Sequence, residues 1–217
     1  MKSDEQLQKE VLEAIKWKPL LHAAEIGVTA KEGIVTLSGT VDNYLKKIEA
    51  ENAAKHVAGV KAIVEKIEVK FSRSLIRSDQ EIAEAVANKL AESGYLPEEL
   101  VKVKIENGKV WLSGNVSLYY QRSGAATAIR GIPGIKGIFN LIKIKNEVQD
   151  TIDKYKILDA LHRDSLIDGE NIVVVVENGE VTLKGKVRSL FEKEEVERAI
   201  HKTPGIGHID NQLLVDY

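Results

Sequence analysis

The side chains best suited to bind metals or transfer protons are scattered along this 217-residue chain. Its five histidines are His22, His56, His162, His201 and His208, and no two have the i, i+4 spacing that places two ligands on one helix face. Cysteine is absent, which excludes thiolate metal sites and disulfides. Serine, histidine and aspartate form no recurring set that would indicate a catalytic triad. We therefore predict a binding protein without a cofactor or metal centre, and an enzyme is the weaker alternative.

One acidic segment has the side chains to hold a hard cation. Asp164, Asp168 and Glu170 crowd the loop before a predicted strand, and loops rich in carboxylate oxygens coordinate such ions. Their spacing does not match an EF-hand, and an acidic surface loop is the commoner explanation for such residues. A small cation therefore stays open as an alternative ligand.

A glycine-containing pattern occurs three times and sets the organisation of the chain. The frame G-x-V-x-L-x-G-x-V matches residues 33–41, 108–116 and 179–187. Its glycines fall within a strand and at its turn, and no Gly-Lys-Ser/Thr follows, so a phosphate-binding loop is not indicated. We interpret the glycines of this frame and of the later helix stop as structural; they are Gly33, Gly39, Gly59, Gly108, Gly114, Gly134, Gly179, Gly185 and Gly205.

The similarity extends well beyond this frame. Asp4, Asp79 and Asp150 align at the same offsets, and three segments run without a gap: 4–71, 79–146 and 150–217. Self-similarity on this scale is typical of tandem structural repeats. The predicted domains, hereafter repeats one, two and three, are residues 1–71, 78–146 and 149–217.

Each repeat has the pattern helix, strand, strand, helix, strand. The first helix begins at a capping residue and carries apolar side chains at i, i+4, i+7 and i+8, as in Leu7, Val11, Ala14 and Ile15. Strict alternation follows, which is typical of a half-buried hairpin. Since a strand–helix–strand connection is right-handed and pairs its strands in parallel, we predict an α+β fold. It consists of three αββαβ units, each a three-stranded mixed sheet with the second strand central and both helices on one face.

Two local features follow from the glycines. Asn107-Gly108 and Asn178-Gly179 suit tight hairpin turns, whereas Glu32-Gly33 predicts a less tight turn in repeat one. The second glycine of each frame lies mid-strand on the side predicted to be buried. Close approach of a helix is the expected reason.

This combination of features resembles the BON domain (bacterial osmotically inducible and nodulation domain). The resemblance is carried by the G-x-V-x-L-x-G-x-V frame, the helix after it, and the (P/A)-G-(V/I) step at 58–60, 133–135 and 204–206. It covers nearly the whole chain and contains no catalytic residues. The resemblance implies the αββαβ fold and a non-enzymatic role. It also implies attachment to phospholipid surfaces of the bacterial envelope, with expression under stress or osmotic shock.

Charge is distributed unequally among the repeats. Repeat two has nine basic and seven acidic residues, whereas repeat three has nine basic and fourteen acidic residues. Basic residues beside aromatic ones suit an anionic lipid surface. The candidate lipid- or partner-binding residues are Arg73, Arg77, Tyr119, Tyr120, Arg122 and Trp111, and Tyr44 with Lys46 and Lys47 has a similar character in repeat one. A solvated helix end with tyrosines packed on their own domain is the alternative explanation.

These observations predict a non-catalytic tandem-repeat protein that binds an anionic phospholipid or envelope surface in a stress-related role. The alternative is a soluble scaffold or sensor that binds a protein partner or a small cation. Nucleic acid is not predicted, because the net charge is −2 and no basic stripe runs along the chain. No transmembrane segment is expected, and the N-terminal sequence lacks an apolar signal core. The chain as written is expected in the cytoplasm; a periplasmic protein whose signal peptide had been removed would look the same.

Overall fold

The computed structural model describes residues 2–21, 26–94, 100–145, 153–177, 180–203, 206 and 209–216. The helices are α1 (Asp4–Lys16), α2 (Tyr44–Lys55), α3 (Asp79–Glu92), α4 (Tyr119–Ile129), α5 (Lys154–Arg163) and α6 (Leu190–His201). The strands are β1 (Ile26–Lys31), β2 (Ile34–Val41), β3 (Ala62–Val69), β4 (Val101–Glu106), β5 (Lys109–Val116), β6 (Gly137–Ile144), β7 (Ile172–Glu177), β8 (Glu180–Val187), β9 (Ile209–Asn211) and β10 (Leu214–Val215). The predicted α+β fold of three αββαβ repeats is confirmed.

Repeat two shows how the sequence produces these elements. Ser78 caps α3, and Glu81 completes the capping box by accepting a hydrogen bond from the Ser78 amide. The apolar stripe of α3 packs with α4 against one face of the sheet. The buried residues of this core are Tyr44, Ile82, Val86, Leu90, Val110, Leu112, Val116, Ala125, Ile129, Ile135 and Ile142. Both helices therefore lie on the same side of the sheet, as predicted.

The three sheets have the predicted strand order. In repeat two, β5 is central, antiparallel to β4 and parallel to β6. Repeat three differs in one respect, since its last strand is interrupted at residues 212–213 and counts as two short strands, β9 and β10. Both pair in parallel with β8 in one register, Leu183 with Asn211 and Lys186 with Leu214. The interruption therefore causes no register shift.

The hairpin turns are tight in repeats one and two. Asn107 and Gly108 have φ angles of 54° and 76°, as a turn of this type requires. Glu32 and Gly33 have φ angles of 53° and 85°, so the prediction of a less tight turn in repeat one was wrong. Asn178 and Gly179 lie outside the described residues, as does Gly205.

The first helix anchors each of these two turns. The Asp79 carboxylate accepts hydrogen bonds from the amides of Asn107 and Gly108, at 2.7 and 2.8 Å. Asp4 accepts a 2.7 Å hydrogen bond from the Glu32 amide in the same way. A non-glycine residue adopts a positive φ angle only with strain, and this hydrogen bond offsets part of that strain at Glu32. Such anchoring also explains the aspartate at this position in repeats one and two; Asp150 of repeat three lies outside the described residues.

The mid-strand glycines face backbone rather than a helix. A Cβ atom on Gly114 would lie 1.9 Å from the carbonyl oxygen of Leu100, and one on Gly185 would lie 2.0 Å from that of Asn171. Both glycines have positive φ angles, 143° and 127°, and Gly39 has a φ of 133°. They are exposed or half-buried rather than buried. The predicted helix contact was therefore wrong for Gly114 and Gly185. In both strands glycine is needed because the carbonyl of the residue preceding the neighbouring strand occupies the space of a Cβ atom.

The chain forms two compact units that each combine parts of different repeats. The first contains Met1–Gly39, Glu49–Lys66 and Val148–Tyr217, and the second contains Thr40–Ile48 and Ile67–Glu147. The linear order of the repeats thus does not define the compact units.

Within the first unit, repeat three packs against repeat one. The Lys55 ammonium contacts Glu194 at 2.8 Å and Glu51 at the same distance. The rings of His56 and Phe191 stack with centroids 3.8 Å apart. An ion pair and a ring contact therefore join α2 to α6.

Within the second unit, the start of α2 belongs to the core of repeat two. Tyr44 is buried there, and its hydroxyl oxygen accepts a hydrogen bond from the Ile138 amide at 3.3 Å. Lys46 pairs with Asp42, and the Lys47 ammonium donates to the carbonyl of Ile67. The predicted lipid-facing character of Tyr44 was therefore wrong.

Candidate functional site

The candidate residues of the linker lie before α3. Arg73 belongs to a short 3₁₀ helix, Arg73–Leu75, and both Arg73 and Arg77 are exposed. The Arg77 guanidinium donates hydrogen bonds to the carbonyls of Ser74 and Ile76, each at 3.1 Å. Its Cβ lies close to Gly134, where an added Cβ would be only 2.9 Å away. This places Arg77 near the C-terminal end of α4.

The candidate residues of α4 lie at its N-terminal end, whereas Arg77 lies near its C-terminal end. Tyr119 and Tyr120 are the first two residues of α4, and Arg122 follows in the first turn. Tyr120 is exposed, whereas Tyr119 and Arg122 are half-buried. An α-helix of this length spans about 15 Å, because each residue rises about 1.5 Å. The structure therefore does not gather the linker arginines and the tyrosines into a single cluster.

Trp111 lies on the other side of the sheet from α4. It alternates with the buried Val110 and Leu112 on β5, so its side chain projects from the open face. Lys104 on β4 and Phe139 on β6 are its direct cross-strand neighbours. Trp111 is consequently separated from the other five predicted site residues.

The open face around Trp111 combines aromatic and basic side chains. The rings of Trp111 and Phe139 are stacked, with centroids 5.1 Å apart and an interplanar angle of 12°. The Lys104 ammonium lies 5.4 Å from the centroid of the Trp111 ring, within range of a cation–π interaction. On the same face, Lys102 of β4 and Leu141 of β6 are the cross-strand neighbours of Ser113. Lys143 follows two positions after Leu141 on β6. We call Lys102, Lys104, Trp111, Phe139, Leu141 and Lys143 the basic–aromatic face.

Five of these six residues were missed from the sequence. The signal that reveals them is the alternation of β6, where Phe139, Leu141 and Lys143 occupy every second position opposite the buried Ile142. Side chains at such positions share one sheet face. The apolar core residues of this strand predict the strand itself, but they do not indicate which of its outward-facing side chains lie beside Trp111.

Repeats one and three lack this arrangement at the matching positions. Trp111 corresponds to Thr36 and Thr182, and Phe139 corresponds to Val64 and Asp210. The basic–aromatic face is therefore a property of repeat two and not of the fold. A feature that the fold does not require is more informative about binding than one shared by every copy.

The acidic loop of repeat three does not gather its carboxylates around a common point. Asp164 accepts a hydrogen bond from the Leu166 amide, and Asp168 accepts one from the Asn171 side chain. Among the described residues there is no group of three or more acidic, histidine or cysteine side chains suited to a metal ion. The loop carboxylates stabilise the turn itself, and the geometry gives no support to the cation alternative.

Repeat three also has a cavity of about 510 Å³ between α5 and α6. Its lining includes Lys156, Arg163 and Lys202, together with Ser165 and the buried Thr203. The three cations are exposed. Arg163 and Lys202 stand at helix C-termini, where positive side chains offset the helix dipole. The helix dipoles therefore explain the positions of Arg163 and Lys202 without a bound ligand.

Comparison with known proteins identifies the family. A model of the BON domain matches residues 3–70, 78–146 and 149–217. The chain belongs to the BON domain family. Its three copies account for nearly all of the sequence. Within the described residues, no helix is both long and apolar enough to cross a bilayer.

Three curated proteins are similar to this BON chain. Osmotically-inducible protein Y of Escherichia coli (strain K12) is 29% identical over 129 residues, which cover 58% of this chain and 64% of that protein. The outer membrane lipoprotein DolP of Haemophilus influenzae (strain Rd) is 32% identical over 143 residues, covering 64% of this chain and 74% of that protein. A 21 kDa hemolysin of Actinobacillus pleuropneumoniae is 33% identical over 132 residues, 60% of this chain and 66% of that protein. The match spans less than two thirds of the first of these relatives.

Proposed function

We propose that this chain is a non-catalytic BON protein that binds anionic phospholipid at an envelope surface in a stress-related role. Two of the relatives are named as an osmotically inducible protein and an outer membrane lipoprotein. These names support a role at the envelope and under stress. The single observation that favours lipid is the concentration of basic residues beside aromatic ones in repeat two and its upstream linker.

The net charges of the repeats indicate which repeat would contact an anionic surface. Repeat two has more basic than acidic residues, whereas repeat three has a clear acidic excess that such a surface repels. Arg73 and Arg77 add two exposed positive charges immediately before repeat two. Each basic residue close to an anionic membrane contributes about 1 kcal/mol, and this attraction decays within a Debye length. Repeat two with its linker is therefore the proposed contact.

Vesicle co-sedimentation tests this proposal. We expect the protein to sediment with vesicles that contain phosphatidylglycerol and to stay in the supernatant with pure phosphatidylcholine. The triple variant Arg73→Glu/Arg77→Glu/Arg122→Glu should bind far less, and raised salt should reduce binding of the unmodified protein in the same way.

A matched control separates local contact from overall charge. Lys154→Glu/Lys156→Glu/Lys184→Glu makes the same change in net charge at exposed positions of repeat three. It should bind nearly as well as the unmodified protein. Equal losses in both triple variants would show that only net charge matters, and no sedimentation of the unmodified protein on any anionic lipid would refute the proposed function.

A protein partner is the second candidate, and the basic–aromatic face is the observation that favours it. Protein interfaces commonly have an aromatic centre within a polar rim. Binding of such a partner would survive the removal of anionic lipid, which distinguishes it from the leading proposal.

A further inference from the structure

The open sheet face of repeat two, rather than its helices, has the composition of a membrane-contacting surface. We propose that the basic–aromatic face lies directly on an anionic bilayer, with Phe139 and Leu141 entering the headgroup region. The inference rests on the proposed function, because it keeps repeat two as the lipid-binding repeat and names the face of that repeat. If it holds, reversing the lysines of this face lowers binding more than the Arg73→Glu/Arg77→Glu/Arg122→Glu variant does, because none of the three arginines belongs to the basic–aromatic face.

The apolar part of this face is exposed and continuous. Phe139 is 44% exposed and Leu141 is 59% exposed, two positions apart on the edge strand β6. Trp111 stacks beside Phe139 on the central strand. Single exposed apolar residues are ordinary, but three neighbours on one flat face form a patch. Tryptophan, phenylalanine and leucine are the residues that favour the membrane interface.

Lysines border this patch on two sides. Lys102 and Lys104 project from β4, and Lys143 projects from the far end of β6. Long lysine side chains can extend along an apolar surface and keep their ammonium groups at the level of lipid phosphates. Lys104 is ion-paired with Glu106 of the same strand at 3.2 Å, so Lys102 and Lys143 supply the net positive charge of this border. That charge is complementary to anionic headgroups, while the centre is apolar.

Trp111 is held in place before any ligand arrives. Since β5 lies between β4 and β6, the Lys104 ammonium and the Phe139 ring approach Trp111 from opposite sides. A side chain that is already ordered loses little conformational entropy on binding. Because the Phe139 ring already stacks on the indole, that ring face is not free for a nucleobase, which disfavours nucleic acid as the occupant.

The other two repeats supply an internal comparison. The positions of Phe139 and Leu141 are Val64 and Lys66 in repeat one, and Asp210 and Gln212 in repeat three. Neither combines an aromatic pair with a lysine border. A lipid contact made by the fold in general would not depend on residues found in one copy only.

Tryptophan fluorescence tests the proposal directly, because the chain has only two tryptophans, Trp17 and Trp111. Trp17 is 85% exposed, so Trp17→Phe should leave the fold intact with Trp111 as the sole indole reporter. We expect phosphatidylglycerol vesicles to shift its emission to shorter wavelength, and lipids brominated near the headgroup to quench it. Pure phosphatidylcholine vesicles should do neither.

Two variant pairs identify the contacts. Lys102→Glu/Lys143→Glu should lower the vesicle partition coefficient by about tenfold or more, since each reversed charge removes and then opposes the attraction. Lys31→Glu/Lys66→Glu makes the same change on the open face of repeat one and should have little effect. Leu141→Gln should reduce both binding and the emission shift. Circular dichroism melting curves check that each variant folds.

The possible outcomes separate the two proposals. If the protein sediments with anionic vesicles but Trp111 emission does not change, the sheet face is not the contact, and the lipid-binding proposal survives without it. If both lysine pairs reduce binding equally, the face is likewise excluded. If the protein does not sediment at all, both proposals are refuted together.

Discussion

At the scale of single residues, backbone geometry explains positions that side-chain chemistry does not. Gly114 carries no functional group, yet glycine is required there because the carbonyl of Leu100 occupies the space of a Cβ atom, as the carbonyl of Asn171 does at Gly185. The frame could be recognised from the sequence, but its cause could not. A mid-strand glycine indicates close approach without indicating whether a helix or a backbone carbonyl approaches.

Replacing this glycine should destabilise repeat two. Gly114→Ala places a Cβ against the Leu100 carbonyl and holds a non-glycine residue at a φ of 143°. We expect a loss of about 1–3 kcal/mol in the free energy of unfolding, measured by urea denaturation. Gly131→Ala is the control, because nothing lies within 4 Å of its added Cβ. Equal stabilities of the two variants would show that the backbone at Gly114 moves aside easily.

At the scale of elements, each first helix positions the hairpin of its own repeat. Alternation and turn residues predicted the hairpins, and apolar periodicity predicted the stripe of Ile82, Val86 and Leu90. The hydrogen bonds that Asp79 accepts from the turn amides were not predictable, because an aspartate in the first turn of a helix already has a local explanation in the helix dipole. The contact depends on how α3 crosses the hairpin, which periodicity does not specify.

Removing this anchor should weaken the hairpin. Asp79→Ala leaves the amides of Asn107 and Gly108 without their acceptor, which typically costs about 1–3 kcal/mol if water does not replace it. Hydrogen exchange at these two amides should accelerate more than exchange in the core of α3. Glu84→Ala removes an exposed acidic residue of the same helix that accepts a hydrogen bond from Gln80, and should leave both amides protected. Unchanged exchange in Asp79→Ala would contradict the anchoring role.

At the scale of the whole chain, the repeats predicted the fold better than the site. Three copies of one frame established the αββαβ architecture. Which side chains one copy presents to its surroundings depends on substitutions within an unchanged fold, and the candidate residues therefore fell into separate places. Tyr44 illustrates the difficulty: an aromatic residue beside lysines suggested a lipid contact, but the neighbouring repeat buries it.

The contact between repeats one and three can be measured. Burial tends to lower the pKa of Lys55, but its hydrogen bonds to Glu194 and Glu51 outweigh burial and raise it. A raised pKa means that the pair stabilises the fold fully below the ordinary lysine pKa of 10.5, and this contribution is lost as pH rises through the folded-state pKa. A double-mutant cycle with Lys55→Met and Glu194→Gln should give a coupling of about 0.5–1 kcal/mol at neutral pH. No coupling would indicate that the pair does not form in solution.

We propose that this BON chain binds membranes through the attraction between its basic residues and anionic headgroups. The most direct measurement is the partition coefficient of the unmodified protein into phosphatidylcholine vesicles as the phosphatidylglycerol fraction is raised. We predict no measurable binding without phosphatidylglycerol, a steep rise with its fraction, and loss of binding between about 0.1 M and 1 M salt, as the Debye length falls from about 10 Å to about 3 Å. Binding that is independent of lipid charge and salt would rule out an electrostatic contact. No binding at any lipid composition would refute the proposed lipid binding altogether.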